Sequence, residues 1–313
     1  MSDETTNLRQ LLARAETLAE LERTDEARAV YRQVIEQAPE GSAVQFEAYF
    51  GLLATFDAEP QPCDAQVQTC IAAIEKFPRD AYLLLAMGHY MQQRGELGLA
   101  ERSFEAAFRH GQQPPDHVMP SHGTEEPGDL AGVCLAVVQQ LGDRAEEARR
   151  TLLEVAERYP DSARVRRHLL DAHIKAGDET AALGLVEGTD ADPTIVDVVR
   201  GACRASRGES AAGLGLLQSA YVAGCRNPLC LRWLVAALLR EGQLDAARPL
   251  LTEWKQLDPD SPELHAYQAA MEQFDADGQG DQQFRIDAAQ PGSPQPELGQ
   301  HAARSQDDRV RGS

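Results

Sequence analysis

The sequence predicts an all-α protein built as a stack of helix pairs, and three observations support this prediction. The 313 residues are 42% hydrophobic but only 5% aromatic, a balance that favours helices rich in Leu, Ala and Val over sheets. Small and large apolar residues recur at helical spacing in one stretch after another. Glycine and proline residues separate these stretches at regular intervals, as expected for short turns between helices.

The clearest copy of the pattern lies between residues 84 and 107. Its elements, in order, are Leu84, Met87-Gly88, Met91, Gly95, Ala100, Phe104 and Ala107. A first helix carries Gly88 on its apolar face, Gly95 permits a turn, and a second helix carries Phe104. We expect Gly88 to let the two helices approach closely, because glycine has no side chain at that contact.

The same pattern recurs seven times along the chain. The equivalent positions are Ala27, Gln66, Ala100, Ala148, Ala182, Gly213 and Ala247, at successive spacings of 39, 34, 48, 34, 31 and 34 residues. These motifs resemble the tetratricopeptide repeat, whose period is about 34 residues. The longer spacings have visible causes, since prolines lengthen the turn of the second repeat and a proline-rich insert follows the third.

The resemblance implies a right-handed α-solenoid of about seven tetratricopeptide-like helix pairs with a C-terminal capping helix. This repeat domain covers residues 1–275 and includes a surface loop at about 111–128. Ser261 and Pro262 are typical of a helix start and begin the capping helix. The second, fifth and sixth repeats are degenerate, and the fifth has a short second helix. Residues 276–313 contain too few large apolar residues to bury a core, so we expect a disordered tail.

The charge balance limits the classes of partner. A formal net charge of −20 and a pI near 4.8 disfavour binding to nucleic acid or to an anionic membrane surface, since both need cationic side chains. The N-terminus lacks the features of a secretory signal, and no stretch is long and apolar enough for a membrane helix. We therefore expect a cytoplasmic protein whose six cysteines are free and mostly buried.

Catalytic and metal-binding motifs are not apparent. The sequence has no nucleophile elbow, dinucleotide-binding loop, phosphate loop or zinc-protease motif. His110, His117 and His122 lie in or beside the insert, but their spacing matches no ordered zinc site. Cys225 and Cys230 lack the second pair that a zinc site needs. We expect no metal, no cofactor and no enzymatic activity.

The remaining candidate site is the concave face, which the outward positions of the first helices line in this architecture. The predicted partner-binding residues are Tyr49, Tyr82, His89, Arg164, Arg167, His168 and Arg232. They form an aromatic patch followed by a cationic one, and the cationic patch could capture a carboxylate or phosphate. The alternative is that the arginines are a solvated helix start that faces nearby acidic residues.

Two functions fit this sequence. The first is a non-catalytic scaffold or adaptor that binds a peptide or protein segment in its concave groove. The alternative, which rests on the family resemblance, is an accessory subunit that positions substrate for a separate glycosyl-, sulfo- or methyltransferase. The sequence does not identify the partner or the oligomeric state.

Overall fold

The computed structural model describes residues 3–56, 61–111, 127–186 and 193–276. Within these ranges the chain forms fifteen helices and no strand. They are α1 (Asp3–Glu20), α2 (Thr24–Gln37), α3 (Ala43–Ala54), α4 (Asp64–Lys76), α5 (Ala81–Gln93), α6 (Leu97–His110), α7 (Pro127–Leu141), α8 (Ala145–Arg158), α9 (Ala163–Lys175), α10 (Glu179–Gly184), α11 (Pro193–Ser206), α12 (Ser210–Val222), α13 (Pro228–Arg240), α14 (Leu244–Leu257) and α15 (Pro262–Ala276). The all-helical prediction is confirmed.

A left-handed backbone residue marks the turn within most of the helix pairs. Gly95 has φ +76° between α5 and α6. Gly177, Gly208 and Gly242 also have positive φ, in the turns of the fifth, sixth and seventh pairs. Glycine suits these positions because a side chain disfavours positive φ. The turn that the sequence predicts at Gly95 is confirmed.

Each pair is held together by small residues on one helix that accept a large residue from the other. In the third pair Phe104 of α6 packs against Gly88 of α5, and Phe104 and its neighbours Ala100 and Ala107 on α6 are 0% exposed. In the seventh pair Ala247, Leu251 and Trp254 of α14 are also buried. The repeating small and large residues therefore form the core of the stack, as the sequence pattern predicts.

The last helix begins and packs as predicted. Ser261 Oγ accepts a hydrogen bond from the Leu264 amide at 3.4 Å, and Pro262 is the first residue of α15. Leu264, Tyr267 and Met271 are buried on one face of this helix, and the Tyr267 ring lies 6.2 Å from that of Trp254. The helix thus covers the apolar end of the seventh pair.

Two further predictions, the short second helix of the fifth pair and the free cysteines, can be compared with the structure. The second helix of the fifth pair, α10, has only six residues, which confirms the predicted short helix. All six cysteines are free, and four of them are buried. The predicted loop at about 111–128 lies mostly outside the described residues, and so does the predicted tail beyond Ala276; both stay predictions.

The contacts within the chain define two compact units, Met1–Leu169 and Leu170–Ser313, which we call the first and second units. The first contains a core that includes Leu8, Val34 and Leu52, built by α1, α2 and α3. The second contains a core centred on α11 to α15 that includes both tryptophans, Trp233 and Trp254. None of the described helices has the length and apolar character that crossing a membrane requires.

Candidate partner-binding surface

In the first unit, two first helices leave a stripe of side chains partly uncovered. The stripe, which we call the α5–α7 stripe, consists of Tyr82, Ala86, His89, Leu130, Cys134 and Val137, all of intermediate burial. On each helix the three residues are four and then three positions apart, so they share one face. The two helices pack against each other, and the stripe is continuous from one to the other.

His89 and Cys134 join the two halves of the stripe. His89 Nε2 lies 3.9 Å from Cys134 Sγ, and the His89 ring packs edge-on against Phe104 at 5.2 Å between centroids. Burial lowers the pKa of His89 from its usual 6.5 and raises the pKa of the Cys134 thiol to about 12. Both groups are therefore uncharged at neutral pH. The stripe offers an apolar contact surface and no thiolate nucleophile.

Tyr49 does not belong to an accessible surface, and its predicted placement there is wrong. Its side chain is only 6% exposed and meets the ring of Phe77 edge-on at 6.3 Å. Phe77 ends α4 and also packs against Phe46, so it fills the space beside this face of α3. The less buried residues of α3 include Glu47 and Gly51 instead.

The predicted cationic residues of α9 that lie in the first unit have different surroundings. Arg164 Nη1 donates to Asp129 Oδ1 at 3.1 Å, and Ser162 Oγ donates to the other oxygen of the same carboxylate at 2.5 Å. The positive charge of Arg164 is thus compensated within the protein. Arg167 is exposed and forms no ion pair with a described residue, while His168 is half-buried.

Arg232, in the second unit, does not face solvent as the sequence suggests. Its side chain is 16% exposed and forms ion pairs with Asp171 of α9 and with Glu263 of α15, the latter at 3.7 Å. Lys175 also reaches Asp171, at 3.3 Å. The physical reason is that α13 is buried around nearly its whole circumference, from Cys230 to Leu239. An arginine there must be paired with carboxylates inside the protein.

Sequence reasoning missed a second feature of the first unit, at Tyr31 of α2. The Tyr31 ring reaches α3 at Gly51, where a β-carbon would lie 2.5 Å from Tyr31 Cζ and 2.7 Å from its hydroxyl oxygen. Burial, together with the negative charges of Glu16 and Glu20 on α1, raises the pKa of Tyr31 to about 12. The signal in the sequence is a tyrosine at the position that Phe104 and Leu152 occupy in other repeats.

Comparison with known proteins identifies the family. Two models described as "Tetratricopeptide repeat" match residues 11–41 and 139–194. A solved tetratricopeptide repeat protein from Parabacteroides merdae has a TM-score of 0.54 with this chain at 10% identity, covering 84% of this chain and 97% of that one. Residues 11–41 and 139–194 therefore match the tetratricopeptide repeat, and the chain has the fold of a tetratricopeptide repeat protein. PilF of Pseudomonas aeruginosa is also similar, at 14% identity, a TM-score of 0.44 and coverages of 86% and 99%.

The tetratricopeptide fold is in general a scaffold for protein interaction, because stacked pairs create an extended surface for a partner. No curated protein sequence matches this tetratricopeptide protein. Its described residues contain no group of three or more His, Cys, Asp or Glu side chains placed to hold a metal ion. His117 and His122 of the insert lie outside the described residues.

Proposed function

We propose that this tetratricopeptide repeat protein is a non-catalytic interaction scaffold that binds a peptide or protein segment along the α5–α7 stripe. The observation that carries the proposal is the stripe itself, a continuous row of partly exposed apolar and aromatic side chains on two packed first helices. A segment bound there would bury apolar surface on helices that are already ordered, so the protein would lose little conformational entropy.

The proposal places the binding surface in the first unit because the corresponding helix of the second unit offers little to a partner. On α13, Ala236 and Leu239 are buried, and Arg232 is engaged with two carboxylates. A segment could bind Arg232 only by displacing Asp171 or Glu263. The α5–α7 stripe requires no such rearrangement.

Among the predicted arginines, Arg167 is the most available to a bound segment, and Arg164 and Arg232 are less available. Arg167 is exposed and has no carboxylate partner among the described residues, so it is free to meet an acidic group of a bound segment. Arg164 is paired with Asp129, and its use by a partner would leave that half-buried carboxylate without its cation.

Partner capture tests the proposal. The full chain, immobilised and exposed to an extract of its native host, should retain a partner that mass spectrometry identifies. The double variant Tyr82→Ala, His89→Ala removes the largest side chains of the stripe and should lose that partner. Identification of the partner would also reveal whether it is itself an enzyme, as the accessory-subunit alternative requires.

A control variant and a test of Arg167 accompany the stripe variant. Leu99→Ala with Leu153→Ala truncates two exposed residues on the second helices α6 and α8, which are 40% and 37% exposed, and should retain the partner. Arg167→Glu reverses an exposed positive charge that has no carboxylate partner among the described residues, and it should weaken capture if the bound segment places an acidic group there. If the stripe variant retains the partner as well as the control does, while its circular dichroism remains native, the stripe is not the binding surface.

A further inference from the structure

The turn between α12 and α13 brings two of the free cysteines together. Cys225 lies in the turn and Cys230 is the third residue of α13, and they are 3% and 0% exposed. Both belong to the hydrophobic core of the second unit, and we call them the turn cysteines. Two thiols alone are too few for an ordered zinc site. They are also separate from the α5–α7 stripe, which lies in the first unit.

One side chain holds both turn cysteines in place. Asn227 is the N-cap of α13, and its Oδ1 accepts a hydrogen bond from the Cys230 backbone amide at 2.8 Å. The Nδ2 of the same side-chain amide donates to Cys225 Sγ at 3.4 Å. Because these two atoms belong to one planar amide group, the sulfur of Cys225 and the backbone of Cys230 are held beside each other.

The backbone and the exposed side chains fix the turn in this form. Gly224 has φ +106°, which favours glycine, and the amide of Cys225 donates to a carbonyl in the last turn of α12 at 3.1 Å. The Arg226 guanidinium lies 3.5 Å from the centroid of the Tyr221 ring, and both side chains bind Glu253 of α14. Contacts from α12, α13 and α14 thus hold the turn in place.

We propose that the turn cysteines, Cys225 and Cys230, are a redox-sensitive pair that a peroxide oxidises to a disulfide, which fixes the turn between α12 and α13. They are five residues apart in sequence and are anchored to the same amide group, so a bond between them joins neighbours and needs no rearrangement of the helices. The modification lies in the second unit and does not depend on where the partner binds.

The reaction balances with a peroxide as the oxidant. Cys225, the less buried of the two, attacks a peroxide oxygen as its thiolate, so that an S–O bond forms, the O–O bond breaks and a water leaves after proton transfer. The Cys230 thiol then attacks the sulfenic sulfur, so that the S–S bond forms and a second water leaves. The two sulfurs together lose the electron pair that the peroxide gains.

Burial makes the turn cysteines slow to react while the turn is closed. It raises the pKa of the Cys230 thiol to about 12, and the charge and hydrogen bonding of the neighbouring Cys225 thiol add to the rise. Because thiolates react and thiols do not, oxidation proceeds when the turn opens transiently. The pair therefore stays reduced during brief exposure to peroxide and is oxidised during sustained exposure.

Peptide mapping of the full chain tests this modification directly. Trypsin cleaves after Arg226, so the turn cysteines fall in different peptides, residues 208–226 and 227–232. The reduced protein is treated with hydrogen peroxide in native buffer, and its remaining thiols are alkylated in denaturant. Mass spectrometry of the unreduced digest should show these two peptides joined, and reduction should separate them. Unjoined peptides after prolonged treatment would overturn the proposal, and so would a covalent dimer formed through these cysteines.

A third cysteine provides the matched control. Cys203 is 0% exposed and lies in the same core, so burial alone would make it an equal candidate. Cys203→Ala should leave the joined peptides unchanged, whereas Cys225→Ala should abolish them. A linkage of Cys203 to either turn cysteine in the unmodified protein would show unspecific pairing and would overturn the assignment.

Thermal unfolding tests whether the disulfide fixes the turn. A disulfide restricts the unfolded chain, so oxidation should raise the unfolding midpoint reported by tryptophan emission by roughly 2 to 8 °C. Reduction should reverse the rise, and peroxide-treated Cys225→Ala should not show it. A joined protein whose midpoint equals that of the reduced protein would overturn the stabilising role of the disulfide.

Discussion

The ring of Phe104 lies directly against the backbone of Gly88, so that a β-carbon built on Gly88 would come within 2.5 Å of Phe104 Cδ1. Gly88 is on the first helix of the third pair and Phe104 on the second, and Phe104 is 0% exposed. Because the ring is fully buried, it cannot move aside without disturbing the side chains packed around it. The separation of α5 and α6 is set by this contact.

Substituting Gly88→Ala should destabilise the first unit, although alanine is the better helix former. The added methyl group overpacks a filled core, which costs about 1 to 3 kcal/mol and exceeds the gain in helix propensity. Chemical denaturation followed by far-UV circular dichroism measures the loss. The matched control is Gly98→Ala on α6, where nothing lies within 4 Å of the new carbon. That change should stabilise the protein by about 0.5 to 1 kcal/mol.

The contact between Gly88 and Phe104 could be predicted from the sequence because it depends on local order. Both residues sit at fixed positions within one helix pair, and the 15 residues between them fold as a helix, a turn and a helix. Tyr49 could not be placed in this way. Its burial depends on Phe77 at the end of another helix, and that contact follows from the packing of the second pair.

The pairing of Arg232 with Asp171 was also beyond sequence reasoning. The two residues are 61 positions apart, on the first helices of the fifth and seventh pairs. Whether such helices meet depends on how tightly the intervening pair lets the stack curve, and no repeat motif encodes that curvature. The Tyr31 hydroxyl was missed for a different reason, since the sequence pattern assigns second-helix aromatics to the core alone.

The Arg232 and Asp171 side chains should be strongly coupled energetically. Because both are mostly buried, removal of one leaves the other without full compensation. A double-mutant cycle with Arg232→Met and Asp171→Asn should give a coupling free energy of about 1 to 3 kcal/mol. The exposed pair Arg109 and Glu105, four residues apart on α6, should give about 0.5 kcal/mol or less. Similar couplings for both pairs would contradict the buried network.

Tryptophan emission should report on the second unit alone. The chain has only two tryptophans, Trp233 and Trp254, and both are 1% exposed in the core of that unit. Their emission should shift to the red on unfolding. Arg232→Met should lower the midpoint seen by fluorescence more than Gly88→Ala does, because stability in a repeat array depends mainly on neighbouring pairs. Gly88→Ala should act chiefly on the midpoint seen by circular dichroism. Equal shifts by both probes in both variants would show that the chain unfolds as one cooperative unit.

The last prediction concerns acid and follows from His89. Burial against Phe104 and α7 lowers the pKa of His89 below 6.5, so the unfolded chain takes up a proton at a higher pH than the folded protein does. Stability is therefore unaffected by His89 well above pH 6.5, and it falls as the pH drops below that value toward the lowered pKa of the folded state. Urea unfolding measured between about pH 7.5 and pH 5 should show a smaller loss of stability in His89→Gln than in the unmodified protein. His265→Gln, at an exposed position on α15, is the matched control and should leave the loss unchanged. If His89→Gln loses as much stability in acid as the unmodified protein does, His89 takes up its proton as readily when folded as when unfolded. The α5–α7 stripe would then gain a positive charge at His89 in mildly acidic solution.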